Sequence, residues 1–173
     1  MRSFKTSKSP TSSTSASSVT LRPSIRLTNS PHCKQAIGLL FGAYMKVIIL
    51  DDSRTDSYLA SQVAQVYFDE VRVYGAPLEL HTALATQRLP ELILMDVHLG
   101  DLHNGIGELD SIRRKANEAS IIPIIIVTAS TDQALHSFAL SCGASAVIVK
   151  PISREKLMPW LTRLLPQIDI EGK

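Results

Sequence analysis

From Met45 onward the sequence predicts an α/β fold, a doubly wound (βα)5 unit built on a five-stranded parallel sheet. Three observations predict it. Short apolar runs alternate with segments of helical spacing along the whole stretch. The principal runs, KVIIL at 46–50, LILM at 92–95 and the apolar stretch at 121–127, are continuous rather than alternating, as in strands covered on both faces. Parallel neighbours need crossover helices, and right-handed crossovers distribute those helices over both faces.

Each element has its own justification. Residues 46–50 form a buried strand, and residues 53–66 have helical spacing with Leu59, Val63 and Val66 on one side. Residues 70–74 are a short alternating strand. Residues 77–87 are helical with Leu80, Ala83 and Leu84 inward, and residues 92–95 form an apolar strand that ends in Asp96. A helix over 107–116 turns Leu109 and Ile112 inward, and residues 121–127 form the third continuous run. Residues 132–141 make a helix stopped at Gly143, a C-cap residue. The last strand is 146–149 and the last helix 153–165. Pro159 lies about six residues past the cap Ser153, where it removes a backbone hydrogen bond and crowds the preceding turn. The expectation is a kink there, or a helix that begins properly only near Met158.

Length and composition narrow the classes. The chain of 173 residues suits one domain with a substantial core. No apolar run reaches the roughly 18 residues of a membrane span; the stretch at 37–45 is short and carries Gly38 and Gly42. Cys33 and Cys142 supply neither a disulfide framework nor a CxxC metal spacing, so a reducing, cytoplasmic setting is expected. The net charge of +2 conceals an asymmetry. Residues 1–44 carry six basic and no acidic side chains, whereas residues 45–173 hold 12 basic against 16 acidic, hence −4. The basic character belongs to the leader, and no Lys/Arg stripe marks a nucleic-acid-binding face.

The leader is rich in Ser and Thr and without apolar periodicity, so it cannot bury enough surface to offset ordering entropy. Three readings fit it: a disordered tail, an organelle transit peptide, or an extension that is not native, with Met45 as the natural start. Met45 stands directly before the first strand, which favours the last. The domain is therefore placed at 45–173.

Ligands in an open α/β sheet bind beyond the carboxyl ends of the strands. The first strand there ends in Asp51 and Asp52, the third in Asp96, the fourth in Thr128 and the fifth in Lys150–Pro151. Each has an ordinary explanation alone, as a cap, a turn or a surface lysine; their recurrence at successive strand ends points to a site. Three carboxylates in one crevice call for a hard cation, and Mg²⁺ fits a site with few protein oxygens plus waters. A carboxylate such as Asp96 can attack phosphorus to give an aspartyl phosphate, with Mg²⁺ and Lys150 neutralising the phosphoryl oxygens.

On the motifs LDDS, LILMD, IIVTAS and GASAVIVKP, residues 45–166 resemble the receiver domain of two-component response regulators. The resemblance implies a flavodoxin-like fold with strand order 2-1-3-4-5. It implies Asp96 as phosphoacceptor, Asp52 and Asp96 on Mg²⁺, Asp51 acting mainly through water, and the backbone carbonyl of His98 as a further metal ligand. Thr128 becomes the switch hydroxyl and Lys150 the phosphate partner, with a Lys150–Pro151 bond that is usually cis in the family. The implied donor is a phosphohistidine on a sensor histidine kinase or a histidine phosphotransfer protein, and the implied output is a downstream protein partner or a phosphorelay. Two departures stand out. The loop after Asp96 lacks the frequent Pro and is about one residue longer than the commonest form, and Val147 replaces the usual Tyr or Phe. His98 and Ser130 occupy positions that tune phosphoryl lifetime in the family.

Other residues carry plainer readings. His81, His98 and His103 lack paired spacing on one helix face and read as solvated histidines. Cys142 reads as a packed helix-end residue, Trp160 and Leu161 as partly buried side chains, and Asp101 as a loop acid. With about twenty residues after Lys150, the expectation is a stand-alone receiver that signals through partners and is not an enzyme. Two rivals are weighed against it. One is a phosphorylation-independent interaction module, which intact Asp96, Thr128 and Lys150 disfavour. The other is a hydrolase of haloacid-dehalogenase type, whose second acid two residues after the nucleophile is here His98.

Overall fold

The computed structural model describes residues 44–100, 103–166 and 168. Residues 1–43 of the leader, with Cys33, lie outside these residues, as does Asp101. The chain runs β1 (Lys46–Leu50), α1 (Arg54–Ala64), β2 (Glu70–Tyr74), α2 (Pro77–Thr86), β3 (Leu92–Asp96), α3 (Gly105–Arg113), β4 (Ile124–Thr128), α4 (Gln133–Ser141), β5 (Ala146–Val149) and α5 (Arg154–Leu164). All five strands are parallel, in the order β2-β1-β3-β4-β5. This is the doubly wound architecture that the sequence predicts.

Period-two alternation divides the strands between two cores. Val47, Ile49, Leu94 and Val127 pack with Ala60 and Ala64 of α1 and with Leu157 and Leu161 of α5. Ile48, Leu50, Met95 and Ile126 pack on the other face with Leu80 of α2, Leu109 and Ile112 of α3, and Ala139 of α4. Both faces of the central strands are therefore covered, as their continuous apolar composition requires.

Three details depart from expectation. In α1 the buried residues are Ser57, Ala60, Ser61 and Ala64, whereas Leu59 is exposed and Val63 and Val66 are half-buried. Small side chains let the helix lie close to the sheet. The two buried hydroxyls are satisfied within the helix, Ser57 donating to the Arg54 carbonyl at 3.2 Å and Ser61 to that of Ser57 at 2.7 Å. The apolar run before β4 starts earlier than the strand: Glu118–Ile121 is a 3-10 turn that leaves Ile121 exposed, and Pro123 precedes the strand, where a missing N–H is tolerated. Finally, α5 begins at Arg154, capped by Ser153, and continues through Pro159 to Leu164. Burial of Leu157 and Leu161 one turn apart offsets the hydrogen bond that Pro159 cannot make.

Candidate functional site

The carboxyl ends of β1, β3 and β5 converge on one side chain. The Lys150 ammonium donates to Asp51 Oδ2 at 2.9 Å, Asp96 Oδ2 at 3.0 Å and Asp56 Oδ2 at 2.8 Å. Asp51 and Asp96 are buried, while the side chain of Asp56 is 40% exposed. All three ammonium protons are thus directed at carboxylates. Asp52, next to Asp51 but exposed, completes an acidic cluster: Asp51, Asp52 and Asp96 each bring one carboxylate oxygen within 4.8 Å of the others.

Local backbone structure aims these groups. Parallel register sets Leu50 beside Met95, so Asp51 and Asp96 emerge at adjacent levels of the sheet. The Asp51 carboxylate is fixed from both sides, with Oδ1 accepting from the Ser53 N–H at 2.9 Å and Oδ2 from Lys150. Ser53 then caps α1 by accepting from the Asp56 N–H. The Lys150 N–H donates to the Thr128 carbonyl at 2.7 Å, which fixes its backbone at the end of β5, and the bond to Pro151 is cis.

The loop after Asp96 is also defined. His98–Leu99 pairs antiparallel with His103–Asn104, and Asn104 caps α3 through the Ile106 N–H. The Gly105 N–H donates to the Val97 carbonyl at 2.8 Å, and a Cβ at Gly105 would lie 1.9 Å from the Asp96 carbonyl oxygen. Only glycine permits α3 to begin this close to the Asp96 backbone.

Burial and charge act against each other here. Burial pushes the Asp51 carboxyl above its ordinary range even though Lys150 and the Ser53 amide favour its anion. For Lys150, burial disfavours the ammonium, but the hydrogen bonds to Asp56, Asp51 and Asp96 outweigh it and hold the group above its ordinary value. Both partners of one ion pair therefore shift upward. Three short contacts favour the ammonium of Lys150 over its neutral form. One ammonium faces the carboxylates of Asp51, Asp56 and Asp96, with that of Asp52 close by, a balance that an additional cation would improve. An all-oxygen donor set of this kind suits a hard divalent cation.

Thr128 is fully buried at the end of β4, and its Oγ1 accepts from the Ser130 N–H at 3.1 Å. His98 is exposed, with its backbone in the two-residue ladder. Asp56 was not among the residues singled out from the sequence. An acid in the first turn of a helix reads as a partner of the helix dipole, and its reach toward Lys150 depends on how α1 lies on the sheet. His81 and His103, read as solvated, both approach Glu108: His81 Nε2 lies 2.8 Å from Oε2 and His103 Nδ1 3.6 Å from Oε1. Cys142 is the half-buried C-cap of α4, followed by Gly143 at φ +99° in a Schellman turn.

An acidic crevice with a lysine lies at the carboxyl edge of a 2-1-3-4-5 sheet. Residues 47–162 match the family model of the response regulator receiver domain. PilH of Pseudomonas aeruginosa is 28% identical over 120 residues, spanning 69% of this chain and 97% of that protein. A probable chemotaxis protein CheY of Rhizobium etli is 32% identical over 114 residues, spanning 65% and 86%. Among solved structures, the chemotaxis response regulator CheY4 of Vibrio cholerae superposes with a TM-score of 0.62 at 24% identity, covering 71% of this chain and all of that one. The chain belongs to the response regulator receiver domain family. Domains of this family are signalling modules that work with histidine kinases and downstream effectors. Among the described residues, no helix is long and apolar enough to cross a membrane.

Proposed function

We propose that this receiver accepts a phosphoryl group on Asp96 from a phosphohistidine and signals through a partner protein or a phosphorelay. The observation that carries the proposal is the placement of Asp96, buried at the end of β3, hydrogen-bonded to Lys150 at 3.0 Å and within the cluster formed with Asp51 and Asp52. An Asp96 carboxylate oxygen attacks phosphorus; the O–P bond forms as the P–N bond of the donor breaks, and the departing imidazole takes up a proton. Lys150 donates to the phosphoryl oxygens, and the Thr128 hydroxyl turns from the Ser130 amide toward them. Mg²⁺, held by Asp52, Asp96 and the His98 carbonyl with Asp51 acting through water, would supply charge neutralisation at the phosphoryl group. That role for Asp51 accords with a carboxylate whose two oxygens already accept from Ser53 and Lys150.

The test is incubation with Mg²⁺ and acetyl phosphate followed by intact mass. The expected result is a gain of about 80 Da, one phosphoryl group, absent in Asp96→Asn. A wild-type chain that gains no mass under these conditions would instead be a phosphorylation-independent interaction module.

A further inference from the structure

We infer that Asp56 is a positioning residue that competes with the incoming phosphoryl group for Lys150; the inference rests on the phosphoacceptor reading of Asp96. The ammonium has three protons, and the three contacts at 2.8–3.0 Å occupy all of them. A phosphoryl group on Asp96 can receive a hydrogen bond from Lys150 only if one of these contacts is given up. The three are not equal. Phosphorylation moves the charge of Asp96 onto the phosphoryl oxygens, so the ammonium's contact with that side chain passes to the new group, whereas the Asp51 side chain is 5% exposed and would be left buried without its cation. The Asp56 side chain is 40% exposed, and water replaces the ammonium there at little cost. Of the two carboxylates that stay unmodified, Asp56 is therefore the one that yields as Lys150 turns to the phosphoryl oxygens.

Its geometry suits that exchange. Asp56 is fixed by its backbone, as the N3 residue of a helix capped by Ser53, and its side chain reaches toward Lys150 from α1 while the other two carboxylates come from the sheet. Without phosphoryl, Asp56 keeps the lysine tethered on the α1 side. With phosphoryl, Lys150 turns to a phosphoryl oxygen and Asp56 is released to solvent. The strength of the tether thus subtracts from the affinity of the site for a phosphoryl group.

Binding of beryllofluoride at saturating Mg²⁺ tests this, with ¹⁵N-labelled lysine reporting the Lys150 ammonium resonance. Asp56→Asn and Asp56→Ala are expected to bind beryllofluoride more tightly, on the order of two- to fivefold, the scale of a half-exposed ion pair. In these variants the free-state Lys150 resonance moves, whereas the bound-state resonance matches that of the wild type. Asp56→Glu, which keeps the carboxylate, is expected to retain the weaker wild-type affinity. Unchanged or weaker binding by the Asn and Ala variants would overturn the inference, as would tightening by Asp56→Glu equal to that of Asp56→Ala. A wild type that binds no beryllofluoride and takes no phosphoryl from acetyl phosphate defeats the phosphoacceptor reading itself. A wild type that does both, beside unaltered Asp56 variants, defeats only this role of Asp56.

Discussion

Lys150 holds together carboxylates that would otherwise repel one another in a buried crevice. Removing its charge with Lys150→Met leaves Asp51 and Asp96 buried without their ammonium, and in cation-free buffer at neutral pH this is expected to cost about 3 kcal/mol of stability. The pH dependence follows from sign. In the variant the Asp51 carboxyl, which burial already raises, loses the ammonium that opposes that rise, so the deficit is absent below about pH 4, grows as pH climbs toward the raised folded value and is constant above it. The wild type behaves oppositely at the alkaline end: Lys150 is held above its ordinary value, and its stabilisation is full below 10.5 and lost as pH rises through the folded value. Denaturant melts from acid to alkaline pH check both limits, and a deficit independent of pH would contradict the account. The response to a phosphoryl mimic is expected to rest on Thr128 rather than on Val147. Thr128 has a hydroxyl that can leave the Ser130 amide, but Val147, half-buried and β-branched, has no ring to swing into vacated space. Thr128→Ala should abolish most of the amide-shift response to beryllofluoride around 128–131, whereas Val147→Ala should leave it nearly intact. Equal loss in both would show that Val147 couples the site to the surface. At this scale Asp51, Asp52, Asp96, Thr128 and Lys150 were legible because each follows an apolar strand. Asp56 was not, because its role arises from how a helix is laid over the sheet.

Among the elements, strands were easier to place than helix faces. The bounds of β1, β2 and β5 coincide with the apolar or alternating runs, since a strand's pattern repeats every two residues and needs few to declare itself. The buried face of α1 was misjudged because close helix–sheet packing selects Ser and Ala at 57, 60, 61 and 64, and bulk apolar side chains draw the eye instead. The start of β4 was misplaced because Ile121 and Ile122 are apolar yet precede Pro123, which lies outside the strand. Helix α5 shows tertiary packing overriding propensity. Pro159 is exposed and lies on the side away from Leu157 and Leu161, so it contributes a backbone penalty without a compensating buried contact. Pro159→Ala should therefore stabilise the protein by about 1–3 kcal/mol, read as a higher denaturation midpoint with unchanged slope. No change, or a loss, would mean that the proline ring makes a contribution in the native state that exposure does not reveal.

For the molecule as a whole, the division of charge predicts how cation binding and folding are linked. Residues 45–173 carry −4, and three of their carboxylates lie within 4.8 Å of one another at one edge of the sheet. A divalent cation that binds this native arrangement but not the unfolded chain stabilises the fold by linkage, about 1.4 kcal/mol at ten times its dissociation constant. For a domain of this size that is a rise of a few degrees in Tm. The leader at 1–44 supplies none of Asp51, Asp52, Asp96, Thr128 or Lys150, and its six basic side chains stand in a separate stretch of sequence. Thermal melts with and without Mg²⁺ should therefore show the same rise for the full chain and for a chain that starts at Met45. Asp52→Asn should reduce the rise in both, because it removes one negative charge from the cluster while leaving the buried Lys150 contacts in place. Identical melting curves with and without Mg²⁺ for the wild type would rule out the cation site. A rise confined to the full chain would instead make the leader part of the binding unit, and the domain would then extend upstream of Met45.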